Sequence, residues 1–324
     1  MSLIVQTLQA HQRLEKTQFT VAIIGSRKLS ATEGNQWETL APNLTLYGFD
    51  ADAAACDAAN ALIEEQSISW TEKHYPLALS GQIETTTIHV TKAVHCSSLY
   101  APNQAYLSRF HGIGQGLELD FKADIQTTTL DHFCQSEQIQ TIDFLQVDVQ
   151  GADFDVLQGA LNLLQKSILG IQIEVEFSLL YHNQSLFSDI DPWLRNLGFT
   201  LFDLLTDDLW CYRPRACSPI QSATRRGQLL WADACYLRDP IGENSHPVSQ
   251  NPEHILKLSC IADILGYPDY ALELLEYLTV NHGKDLRFNF AHEMIAILSQ
   301  FPTLVEQGLD HLPIVQSIRP FLTP

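Results

Sequence analysis

Apolar residues gather in short continuous blocks separated by glycine, aspartate and polar turns, and the blocks alternate with stretches of helical periodicity. Phe19 to Ile24 reads Phe-Thr-Val-Ala-Ile-Ile and stops at Gly25, which predicts a strand covered on both faces of a parallel sheet. Leu44 to Phe49 is a second such block ending at Asp50, and Asp52 then caps an alanine-rich helix that turns Cys56, Ala59 and Ile63 inward. Ile68 to Leu79 gives a third strand, and the alternating segment Glu84 to Val90 reads as an inserted antiparallel strand facing solvent. Ile142 to Val149 is the fourth strand of the main sheet. Its helix begins at Gly151, with Asp153 and Asp155 in the first turn and Phe154, Leu157, Leu161 and Leu164 facing inward. Ile168 to Phe177, Phe199 to Leu205 and Gln228 to Leu237 complete seven strands, with a helix over Asp189 to Leu197 closed by Gly198.

This order predicts an α/β fold: a doubly wound, Rossmann-like, seven-stranded and mostly parallel sheet, whose ligands lie beyond the carboxyl ends of the strands. That unit is expected to span residues 1–239. A polar stretch with prolines and asparagines then leads, over residues 240–324, into a helical C-terminal extension with helices at His254 to Leu265, Asp269 to Leu278 and Leu286 to Gln300. No catalytic signature appears in the extension. Its apolar faces are expected to pack on the main domain or on a second subunit, which would make it the route to a homo-oligomer.

Charge narrows the partners. With 19 Lys and Arg against 38 Asp and Glu, a formal charge of −19 repels phosphate backbones and anionic lipid, so neither nucleic acid nor a membrane is expected. The seven cysteines are scattered without a Cys-x-x-Cys pair, as in a reduced protein. With no long apolar run and no recognisable leader, a cytoplasmic location is expected.

A nucleoside cofactor on such a sheet needs a glycine-permitted turn after the first strand and a carboxylate after the second for ribose hydroxyls. Gly25 and Asp50 occupy those places, although the loop Gly25 to Gly34 has neither Gly-x-Gly-x-Gly nor Gly-x-Gly-x-x-Gly. An ordinary turn followed by a helix-capping acid is the competing reading. Gly112-Ile-Gly-Gln-Gly116 does match the first string, but it precedes a strand-like segment, so no helix N-terminus is expected to face a ligand there.

The segment Thr141 to Ala160, Thr-Ile-Asp-Phe-Leu-Gln-Val-Asp-Val-Gln-Gly-Ala-Asp-Phe-Asp-Val-Leu-Gln-Gly-Ala, resembles the signature of the FkbM family of S-adenosylmethionine-dependent methyltransferases. Asp148, Gly151 and Ala152 match it, while Gln150 stands where the family usually has Glu. The likeness continues through Cys96 to Asn103, Thr128 to Asp131, Glu174 to Tyr181 and Arg226 to Asp233, in the family's order. It implies a class I methyltransferase fold, S-adenosylmethionine as cofactor, and a hydroxyl of a sugar or other small natural product as acceptor. It also implies that Gly25 lies near the methionine portion of the cofactor, Asp50 near its ribose, and Leu79 and Ser80 near its adenine.

Methyl transfer to a hydroxyl needs a base for its proton. Asp148 ends the fourth strand and Glu174 and Glu176 lie near the end of the fifth. Asp148 is the first candidate base, with Glu174 beside it and His182, in the loop after the fifth strand, as the alternative. Asp148 and Glu174 also suit Mg²⁺, an alternative not preferred to a metal-free site. His95 abuts Ser97 and Ser98, and with Tyr181 these serines could line an acceptor pocket. A non-catalytic binding or assembly protein on the same fold is the opposing reading.

Overall fold

The computed structural model describes residues 2–27, 35–206, 211–243 and 245–322. In chain order its elements are α1 (Leu3–Ala10), β1 (Phe19–Ile24), β2 (Leu44–Asp50), α2 (Ala53–Gln66), β3 (Thr71–Pro76), β4 (Ala78–Leu79), β5 (Thr85–Thr91), α3 (Gln104–Leu107), β6 (Leu119–Thr128) and α4 (Leu130–Ser136). There follow β7 (Phe144–Val147), α5 (Asp153–Gln158), α6 (Leu161–Lys166), β8 (Gly170–Glu176), α7 (Phe187–Asn196), β9 (Phe199–Leu205), β10 (Tyr212–Arg213), β11 (Gln228–Leu229) and β12 (Trp231–Arg238). Helices α8 (Pro252–Ile264), α9 (Pro268–His282), α10 (Ala291–Leu298), α11 (Pro302–Gln307) and α12 (Pro313–Ile318) close the chain.

Seven strands form one sheet in the order β3-β2-β1-β7-β8-β12-β9. The pairs from β3 to β8 are parallel, and β12 runs antiparallel to both β8 and β9. Strand order therefore reverses between β1 and β7, which places a crevice at their carboxyl ends. β1 is apolar throughout because both of its faces are covered. Phe19 and Val21 join a core with α1 and α8 to α10, whereas Ala22 and Ile24 join one with α4 to α7. The tail's helices and α1 form one of the sheet's covering layers. Lys257 of α8 ties that layer to the sheet through Asp143, just before β7, with Nζ 2.8 Å from Oδ1.

Several elements differ from the pattern. The expected third strand breaks at Leu77 into β3, at the edge of the main sheet, and β4, which pairs with β6. The segment expected as a single seventh strand is β11, paired with β10, followed by β12. Leu161 is exposed rather than buried, because the helix after β7 is interrupted at Gly159 and Ala160 and resumes as α6 in a new phase, burying Leu163 and Leu164. The helix expected from Leu286 becomes regular only at Ala291. Gly112 to Gly116 lies in turns ahead of β6, with no helix following.

Candidate active site

The crevice holds a cavity of about 570 Å³ whose base is formed by the ends of β1, β2 and β7. Gly25 sits there with φ +82°, its N–H bonded to the carbonyl of Phe49 at 2.9 Å. A Cβ at this position would lie 1.9 Å from the carbonyl oxygen of Asp148, so the approach of β1 to the end of β7 requires glycine. Asp50 lines the cavity beside it. One carboxylate oxygen of Asp50 accepts the N–H of Asp52 at 2.8 Å and lies 3.8 Å from Arg27 Nη2. Asp52 caps α2 as expected and pairs with Arg27, whose hydrogen bond is the main reason the Asp52 carboxyl falls below its usual range. Leu79 lines the cavity, whereas Ser80 is buried outside the lining, its N–H bonded to Thr128. The expected loop continues through Lys28 to Gly34, which lies outside the described residues.

The segment after β7 is a compact turn in which each polar residue has a separate task. Asp148 presents its carboxylate to the cavity. Gln150, at φ +59°, donates from Nε2 to Asp148 Oδ1 at 2.8 Å and to Glu174 Oε2 at 2.9 Å. Its Oε1 lies 3.0 Å from the hydroxyl of the buried Tyr181, which also reaches the carbonyl of Cys96 at 3.0 Å. Gly151 has φ +91°, and a Cβ there would meet the Tyr181 ring at 2.9 Å. Asp153 braces the turn, accepting the N–H groups of Val149 and Gly151 at 2.9 and 2.8 Å. A left-handed non-glycine residue is costly, and these contacts hold it in place.

Four carboxyl groups crowd this point. Oxygens of Asp153, Glu174 and Glu176 lie within 4.8 Å of one another, an arrangement able to hold a cation, and Oε1 of Glu176 is buried without a partner. Burial is the first cause that raises all four acids, with mutual repulsion adding to it for Asp153, Glu174 and Glu176. Asp153 is pushed up to about 7, Glu174 and Glu176 stand well above the usual carboxylate range, and Asp148 is raised more mildly. Asp148 is itself exposed where it lines the cavity, and the protein packed around the site is what hinders its ionisation. Hydrogen bonds from Gln150 and Glu174 and the nearby His95 act in the opposite direction.

Glu174 lies behind Gln150 and outside the cavity lining, and His182 is exposed and outside it too. The histidine that does line the cavity is His95, together with Ser97 and Ser98. Sequence reading missed the cavity's outer wall. Ile88 and Val90 of β5 and Phe121 and Ile125 of β6 line it, so the strand expected to face solvent turns one face to the site. The alternation of Ile88 and Val90 with Thr87 and His89 carried that signal.

Residues 42–201 match the family model described as the methyltransferase FkbM domain. The chain carries an FkbM-family methyltransferase domain. S-adenosylmethionine is the methyl donor of this domain. No curated protein matches the chain. Among solved structures it is similar to TrmK of M. capricolum in complex with S-adenosyl-homocysteine, at 11% identity over 97% of this chain and 96% of that one, with a TM-score of 0.29. A human methyltransferase 10 domain containing protein is similar at 10% identity over 73% and 82% of the two chains, with a TM-score of 0.30. The FkbM domain's sheet order is established by its own strand pairing.

The cavity suits the cofactor. Its base has backbone that approaches closely only because Gly25 lacks a side chain, a carboxylate at Asp50 for vicinal hydroxyls, and apolar surface from Phe49 and Leu79 for a base. Asp148, the one acid of the four that lines the cavity, would favour a positively charged sulfonium when ionised.

Proposed function

We propose that this FkbM-family protein transfers a methyl group from S-adenosylmethionine to a hydroxyl of a small acceptor, a sugar or a related natural product, with Asp148 as the base. Gly25, Asp50 and Leu79 would hold the cofactor, which supplies an activated methyl group on sulfur. The observation that carries the reading is the placement of Asp148: it faces the cavity that Gly25 and Asp50 line, while Gln150 fixes its carboxylate from behind. A hydroxyl beside Asp148 can give up its proton there, and the β5–β6 hairpin limits access of water. His95, in the same lining, is the alternative base, in preference to the remote His182.

Two measurements test this. Equilibrium titration of the full chain with S-adenosylmethionine should saturate, and absence of binding at millimolar ligand would favour a non-catalytic protein. With a hydroxylated acceptor, Asp148→Asn should lower kcat by about 10²–10⁴-fold, the usual weight of a general base, with little change in cofactor affinity. Unchanged turnover would remove Asp148 from the role.

A further inference from the structure

The hairpin between β10 and β11 encloses a second concavity, of about 530 Å³, separate from the cofactor cavity. Arg215, Arg225 and Arg226 line it together with Ser218, Ser222 and Thr224. In so acidic a chain the local charge is unusual. Residues 99–117 and 211–232 contain no Asp or Glu, yet they hold Arg109, Arg213, Arg215, Arg225 and Arg226. The two stretches lie side by side, joined by a bridge between Phe110 and Arg215 and by hydrogen bonds of 3.0 Å from His111 N–H to Pro214 and 2.9 Å from Ala216 N–H to Arg109.

Arg215 of the lining and the neighbouring Arg109 are held in position. Arg215 stacks 4.3 Å over the Phe110 ring and Arg109 5.4 Å over Tyr106, geometry that leaves guanidinium edges free to donate. Arg215 Nη2 donates to Gln228, whereas its Nη1 is buried with no partner. Among the described residues no acid pairs with Arg215, Arg225 or Arg226. Gly227, at φ +120°, lets the hairpin close, since a Cβ there would lie 2.3 Å from the backbone of Arg213. Beneath this platform Tyr181 shares an apolar cluster with Leu107, Phe110 and Leu230, and its hydroxyl reaches Gln150. The platform therefore stands at the same edge of the sheet as Asp148.

We propose that the arginine-lined concavity binds the phosphate or pyrophosphate group of a small acceptor and so presents that acceptor to the methyl-transfer cavity. The proposal rests on the methyltransferase reading for its purpose, though not for the binding itself. A cluster of guanidinium groups without acidic partners among the described residues matches phosphate oxygens, which accept several charge-assisted bonds at once. The concavity is of small-molecule size, and the charge of −19 over the whole chain opposes a long polyanion while leaving a local arginine pocket effective for two to four charges.

The test is calorimetric titration of the full chain with inorganic pyrophosphate, uridine diphosphate, glucose 1-phosphate and a short single-stranded RNA, alongside S-adenosylmethionine. Pyrophosphate or one of the two organic phosphates should saturate, and the better organic ligand identifies the source of the phosphate. Arg225→Gln/Arg226→Gln changes two exposed side chains and should weaken that binding at least about tenfold while leaving S-adenosylmethionine affinity unchanged. Arg215→Gln provides a second variant with the same expectation. No saturation by any small phosphate at millimolar concentration would overturn the proposal, as would equal affinity in the variants or tighter binding of the RNA. Loss of S-adenosylmethionine binding alone would strike the methyltransferase reading and leave phosphate binding intact.

Discussion

Gln150 shows how one side chain decides what a carboxylate cluster can do. A neutral amide has two N–H groups, and here they serve Asp148 and Glu174 while the carbonyl faces the Tyr181 hydroxyl. Glutamate, the family's usual residue there, would replace two donors with acceptors and add a fifth acid to the four already raised by burial. For an acid whose folded pKa is raised, the folded state holds a proton that the unfolded chain releases. The resulting destabilisation is absent below the ordinary carboxylate range, grows as pH rises towards the folded value, and is constant above it. Gln150→Glu should therefore cost about 2–4 kcal/mol near pH 8 and much less near pH 5. Denaturant titrations at the two pH values check this, and an equal cost at both would contradict it. The same logic gives Asp148 a signature in turnover. As a base it must be ionised, so kcat should rise with pH through a value above the usual aspartate range, and a profile flat across that limb would count against it.

At the scale of elements, the sequence was most legible where a single periodicity decided the outcome. β1 and β9 have the expected bounds, and Asp52 caps α2 as read, because continuous apolar runs and capping residues act locally. The pattern failed where tertiary contact set the phase. Leu161 fits a continuous helix, but the helix is interrupted at Gly159 and Ala160, where a Cβ on Gly159 would lie 2.2 Å from the Ser80 carbonyl oxygen, and α6 resumes in another phase. Gly25, Asp50 and Asp148, at the ends of strands of the main sheet, and Leu79, at the end of β4, are expected site residues that do line the cavity, although their roles stay proposals. At the β5–β6 hairpin the alternation was legible but not what its apolar face would cover, because that face comes from an insertion and meets the cavity only after folding. Phe121 is 53% exposed while lining the cavity, so its apolar surface serves a ligand more than the core. Phe121→Ser should change stability by less than about 1 kcal/mol yet weaken S-adenosylmethionine or acceptor binding by about 3–10-fold. A thermal melt and a binding isotherm on the same preparation separate the two effects, and a large loss of stability with unchanged affinity would assign Phe121 to the core.

At the scale of the molecule, the layer formed by α1 and the C-terminal helices meets the main sheet across a largely apolar interface that contains a buried ion pair. Asp143 is 1% exposed and accepts the N–H of Thr20 at 2.8 Å as well as the ammonium of Lys257. Its carboxyl is still raised, because loss of hydration outweighs the attraction of Lys257 and the backbone bond. The contact thus fixes the register of α8 on the sheet more than it adds stability, and removing one partner is what exposes its cost. Lys257→Met keeps the apolar stem, leaves a buried carboxylate with a single backbone donor, and should destabilise the fold by about 3–5 kcal/mol near neutral pH. Protonation of Asp143 relieves part of this, so the loss should shrink as pH falls into the carboxylate range. Adding Asp143→Asn, which retains an acceptor for Thr20 N–H, should recover a substantial part of the stability, with a coupling energy between the two sites above about 1 kcal/mol. Equilibrium unfolding of the single and double variants measures it. If α8 were only loosely attached, Lys257→Met would instead cost less than about 1 kcal/mol and show no dependence on pH.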